Sequence, residues 1–122
     1  MGLRDTYAIK LLLLYILNRL SYPCALEPLA EAAQIDDGFT YFDVVQALSE
    51  LIASGHAAES KPGEVICYSA TEKGKAHGEI MESDLPYALK RKAGVTLMEL
   101  AKNLEIENLV RNVKASNETE ET

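Results

Sequence analysis

The apolar run at residues 11–17, LLLLYIL, constrains this chain more than any other feature. It lies inside a helical pattern over residues 5–20, in which Ile9, Leu12, Leu13, Ile16, Leu17 and Leu20 recur on one side, with Asp5 placed as the cap. Leu11, Leu14 and Tyr15 add apolar groups on the other side, so the helix must be covered on two faces. A later helix of the same chain can cover the second face. So can a second subunit, in which case Leu11, Leu14 and Tyr15 are dimer-interface residues. The run is far shorter than the roughly 20 apolar residues of a membrane helix. It is bounded by Lys10 and by Asn18-Arg19, and no small-residue cleavage site follows. The expectation is a soluble, cytoplasmic protein that does not enter a membrane.

The remaining punctuation is helical with one ribbon. Tyr22-Pro23 ends the first helix, because the residue before proline is pushed out of the α region. A short helix over residues 26–34 follows, with Pro28 tolerated in its first turn, and Asp36-Asp37-Gly38 reads as a turn. Thr40 and Asp43 make a capping box for a helix over residues 41–54, with Phe42, Val45, Leu48, Leu51 and Ile52 read as its inward face and Gly55 as its C-terminal stop. Residues 57–60 and 65–70 then read as a hairpin around Lys61-Pro62-Gly63-Glu64, with Pro-Gly suited to a type II turn. Thr71 caps a helix over residues 72–83, which Pro86 breaks. Gly94-Val95 opens a last helix, with Thr96 and Glu99 as a second capping box and an apolar stripe to about Lys114. The polar, acidic residues 115–122 read as disordered. This gives a domain over residues 1–92, a terminal helix over 93–114 and a tail.

Composition narrows the chemistry. The chain has 122 residues, enough for one domain, and its 48% apolar content can form a core without disulfides or metal. Two cysteines suit a reducing compartment and are too few for a zinc site unaided. His56 and His77 have no partner at metal-ligand spacing. No phosphate loop or nucleophile motif is present. The sequence therefore predicts neither catalytic residues nor a metal or other cofactor, and a protein that is not an enzyme.

The order helix, short helix, capped helix, hairpin is that of a winged helix-turn-helix. The segment Tyr68-Ser69-Ala70-Thr71-Glu72-Lys73-Gly74 resembles the Tyr-x-x-Thr-x-x-Gly exit from the wing of many bacterial regulators. With Tyr15-Ile16-Leu17 and Gln46-Ala47-Leu48-Ser49-Glu50-Leu51, the stretch 5–92 is similar to a bacterial winged-helix family catalogued as a domain of unknown function. The resemblance implies a mostly α fold with a small β-hairpin, a winged helix-turn-helix plus C-terminal helical extension. It also implies double-stranded DNA as partner, read by the third helix.

On that reading Thr40, Tyr41, Asp43 and Gln46 face the bases, and Lys61, Lys73 and Lys75 face phosphates. Charge opposes it: net charge is −7, and the helix over 41–54 has no Lys or Arg. Residues 1–60 hold three basic against eight acidic groups, residues 61–92 six against five, and residues 93–122 three against six. Two or three phosphate contacts per chain give weak, salt-sensitive binding, so a transcription regulator of this kind needs a homodimer. Leu97, Leu100 and Leu104 of the last helix are candidate interface residues beside those of the first. The alternative is a winged-helix protein-interaction module that binds no DNA. A small-molecule effector between the first and last helices is conceivable, though no residue names it. Residues 96–106 mimic a second helix-turn-helix, but Glu105 stands where the tight turn wants glycine, so a single amphipathic helix is the better reading.

Overall fold

A computed structural model describes residues 2–34 and 39–121, with side chains described for residues 6–34 and 39–113. The described chain is mostly helical, with five α-helices and one three-stranded antiparallel sheet. In order these are α1 (Gly2–Arg19), β1 (Cys24–Ala25), α2 (Leu26–Ala33), α3 (Tyr41–Ala53), β2 (Ala57–Ser60), β3 (Cys67–Ala70), α4 (Glu72–Met81) and α5 (Tyr87–Glu121), with a 3₁₀ turn at Glu82–Asp84. The Asp36-Asp37-Gly38 turn lies outside the described residues. The sheet order is β1-β3-β2. β1 adds a third strand to the expected hairpin, pairing Cys24 with Tyr68 and Ala25 with Cys67.

α1 is the axle. It touches α2, α3, α4, α5 and β3, and Leu12, Leu13 and Ile16 are fully buried. Truncating any of them to alanine should cost about 2–5 kcal/mol. α1 begins at Gly2, ahead of Asp5, so Asp5 is not its cap. Its second apolar face is closed by α4. There Gly74 and Gly78 let the two helices meet at Leu14 and Asn18, with Leu14 Cδ2 3.3 Å from where a Cβ on Gly74 would stand. Leu11 and Leu14 are therefore core residues rather than a free interface. Tyr15 is half-buried with the Arg19 guanidinium 3.8 Å over its ring.

α3 carries both of its sequence signals. Thr40 Oγ1 accepts from the Asp43 N–H at 3.1 Å, and Asp43 Oδ2 accepts from the Thr40 N–H at 3.0 Å. At the other end Gly55 takes φ 82°, its N–H donates to the Ile52 carbonyl, and the His56 N–H donates to that of Leu51. The inward face differs from expectation. Val44, Ala47, Leu48 and Leu51 are buried, whereas Phe42 and Val45 are exposed. This helix has more apolar residues than the core can accept, so periodicity alone left its phase open, and small Ala47 lets it approach the core closely.

Further expectations are corrected. The β2–β3 loop spans residues 61–66 and leaves Val65 and Ile66 outside the strand. Gly55 is the sole described glycine with positive φ, so Pro62-Gly63 forms no type II turn; instead Gly63 leans towards the Arg111 guanidinium of α5. α5 begins at Tyr87 and runs 35 residues, about 52 Å. It passes through Gly94 and Thr96 without a break and continues helical past Lys114 to Glu121. Leu85, Leu89, Ala93, Leu100 and Leu104 bury in one core with α1, so no boundary falls at 92 and 93. Thr96 is no cap: its hydroxyl bonds the Ala93 carbonyl at 3.1 Å and that of Ala32 at 3.3 Å, tying α5 to α2.

Candidate interaction surfaces

The capping box that starts α3 occupies two of the residues expected to read bases. Thr40 and Asp43 spend their side chains on each other's backbone N–H groups, which contributes about 1 kcal/mol to the helix. Gln46 donates to Glu50 at 3.3 Å, and Glu50 forms an ion pair with Lys10. That pairing, led by the Lys10 hydrogen bond, holds the Glu50 carboxyl below its ordinary range. Tyr41 is exposed, and beside it Phe42 stands 66% exposed. The outer face of α3 is thus aromatic and polar with its acids largely engaged, and it presents no cation.

The basic candidates do not gather there. β2 packs against α3 and follows its C-terminal end in the chain, and in β3 burial, then Glu59, Cys67 and Tyr41, push the Tyr68 phenol up. Lys61 follows β2 directly and is exposed. Lys73 is at the opposite end of α3, donating from Nζ to the Ser54 carbonyl at 2.8 Å. That separates it from Thr40 by the length of α3, about 20 Å. Lys75 is exposed on α4, near Lys73 in the chain. Of the seven residues read as DNA-facing, Thr40, Tyr41, Asp43 and Gln46 share the start of α3, Lys61 lies in the β2–β3 loop, and Lys73 stands at the far end of α3 with Lys75 beyond it in the chain.

The terminal-helix candidates also moved. Leu100 and Leu104 are buried in the core and Leu97 is half-buried against it. The free apolar side of α5 is Val95, Met98, Ile106, Leu109, Val110 and Val113, each more than half exposed. The sequence pattern runs the two stripes together, because a helix apolar on opposite sides shows no single period.

One polar cluster escaped sequence reading. His56 Nε2 and His77 Nδ1 lie 2.7 Å apart, and Ser54 Oγ lies 2.6 Å from His56 Nδ1. The histidines are 21 residues apart in the chain, joined only because α4 folds back over the start of β2. Burial, then His77, Lys73 and Lys10, lower the His56 pKa. No group of three metal-ligating side chains exists among the described residues.

The surface clefts are small. One of about 160 Å³ lies between α2 and α5, and one of about 140 Å³ between the β2–β3 loop and α5, reaching Cys67 and Arg111. Another of about 140 Å³ lies between residues 20–22, just past α1, and α5. Each falls well below the roughly 300 Å³ at which small-molecule sites begin. No helix among the described residues is long and apolar enough to cross a membrane.

A family model described as "Domain of unknown function (DUF4364)" matches residues 9–121. No curated protein and no solved structure matches the chain.

Proposed function

Because the chain belongs to the family described as Domain of unknown function (DUF4364), we propose its role from its own residues: a cytoplasmic winged-helix protein that docks α3 on double-stranded DNA as a homodimer, in the manner of bacterial transcription regulators. One observation carries this. The order α1-β1-α2-α3-β2-β3 with sheet order β1-β3-β2 supports a winged helix, and Tyr41 and Phe42 at the N-terminal end of α3 are exposed. A reading helix enters the major groove by that end, and the positive end of its dipole favours phosphate there. Tyr41 and Gln46 are the side chains to meet base edges, and Lys61 the one to meet the backbone. Thr40 and Asp43 hold the end in shape.

So few cations make the binding weak and steeply salt-dependent, and a dimer doubles the contacts on one duplex. Fluorescence anisotropy with a generic duplex at low salt tests the reading. Binding with Kd of about 1–100 μM, lost by about 0.2 M salt, is expected. Lys61→Glu should weaken it and flatten its salt slope, while Lys75→Glu should leave it nearly unchanged. No detectable binding at high micromolar protein overturns the DNA reading.

A second reading has its own support. Phe42, Tyr41 and Val45 form an exposed apolar face on a helix without Lys or Arg, which suits a protein surface better than a phosphate backbone. On this reading the chain is an interaction module, and the titration shows no DNA binding under any salt condition.

A further inference from the structure

We infer that the solvent face of α5 is the homodimer interface, and that two copies of α5 pair there antiparallel, crossing near residue 104. This takes from the preceding reading only that the chain self-associates, and it stands whether or not DNA binds. At roughly 100° per residue, Val95, Met98, Ile106, Leu109, Val110 and Val113 fall in one stripe, nearly opposite the buried Leu89, Ala93, Leu100 and Leu104. Met98 is 76% exposed and Val95 69%. The six together leave on the order of 600 Å² of side-chain area in water, at the upper limit of what a monomer of this kind leaves bare. With flanking groups this approaches the roughly 800 Å² per partner of a standard stable interface.

A second copy is the occupant because the charge pattern of α5 complements itself. Lys90, Arg91 and Lys92 lie near its N-terminal end, while Glu118, Glu120 and Glu121 lie in its last stretch. A parallel pair would set basic against basic and acidic against acidic. An antiparallel pair sets the basic end of one copy beside the acidic end of the other, with Lys90 facing Glu118 while Arg91 and Lys92 face Asn117 and Ser116, and opposed helix dipoles favour the same sense. Taking Val95 opposite Val113 puts Met98 opposite Val110 and Lys90 opposite Glu118. Two charges, Glu99 and Lys102, fall inside the stripe, and the register places Lys102 opposite Ile106 and within reach of Glu105 of the partner subunit. The contact is two-fold and self-complementary, as a closed dimer requires.

Sedimentation equilibrium of the full chain without DNA tests the interface. A dimer is expected, and Ile106→Glu with Leu109→Glu should give a monomer whose circular dichroism and Tm stay close to those of the parent. A wild-type monomer at high micromolar concentration, or a double variant that remains dimeric, overturns the inference. So does a double variant that unfolds, since it would place the stripe inside one chain. Orientation is read by oxidative cross-linking. Val95→Cys chains mixed with Val113→Cys chains should form a covalent dimer that neither makes alone. Cross-linking of each variant with itself would mean parallel pairing and would overturn the orientation. Loss of DNA binding with the dimer intact would count against the DNA reading alone.

Discussion

Gly74→Ala is the sharpest probe of how α4 seats on the body. A methyl there would press into the His56 backbone carbonyl and stand 3.3 Å from Leu14 Cδ2. That carbonyl already accepts the Thr71 N–H at 3.1 Å, while Thr71 Oγ1 accepts the Gly74 N–H. Relief therefore needs backbone movement at the junction of α3, β2 and α4, where no flexible side chain can yield. Overpacking of this kind costs about 1–3 kcal/mol, and rigid backbone puts it at the top of that range. Alanine returns about 1 kcal/mol of helix propensity, leaving a net loss of about 2 kcal/mol. For a chain of this size that is a Tm drop of about 8 °C. Gly94→Ala is the matched control: Gly94 lies in the interior of α5 with nothing within 4 Å of the added carbon. It should raise Tm by about 3–4 °C. Thermal denaturation followed at 222 nm reads both. If Gly74→Ala melts at or above the parent, α4 does not approach β2 as described and the reasoning fails.

The His56–His77 pair should give stability a pH slope. The folded pKa of His56 is lowered, so the unfolded chain binds its proton more readily. The contribution is whole above the unfolded value of about 6.5 and is lost as pH falls through and below it. Melting temperatures between pH 7.5 and about 5.5 should fall, and His56→Gln should remove part of that slope; an unchanged slope would exclude the pair as its source. Cys24 is fully buried and its thiol is pushed up to about 12, chiefly by burial. It should resist a thiol reagent at pH 8 until the protein is denatured, and rapid labelling of the native chain would contradict the β1 placement.

What was legible in the sequence was what is local. The Thr40–Asp43 box, the Gly55 stop and the Thr71 cap each rest on a few neighbouring residues, and each stands in the structure. The β2–β3 hairpin was legible for the same reason, while two-residue β1 had too little pattern to see. The face of α3 was not readable, because Phe42 and Val45 compete with Val44 and Ala47 for the core. The start of α5 was misread, since Gly94-Val95-Thr96 imitates a helix opening and only the packing of Leu89 and Ala93 carries the helix through it. The two apolar sides of α5 show no single period, so the sequence does not separate the buried Leu100 and Leu104 from the exposed stripe. The histidine pair depended on a chain reversal that no local pattern announces. The residues first grouped as DNA-facing were split for a similar reason: Lys73 is near Thr40 in purpose only, and the cap of α3 that it touches is at the far end.

The central claim is that the N-terminal end of α3 and the β2–β3 ribbon form one DNA-docking face. A ¹⁵N-resolved NMR titration of the full chain with duplex DNA at low salt tests it most directly. The account predicts shifts concentrated at Tyr41, Phe42, Gln46 and Lys61, with Lys73 and Lys75 quiet and all shifts reversed by added salt. Shifts centred on α4, or a spectrum indifferent to DNA, would contradict it.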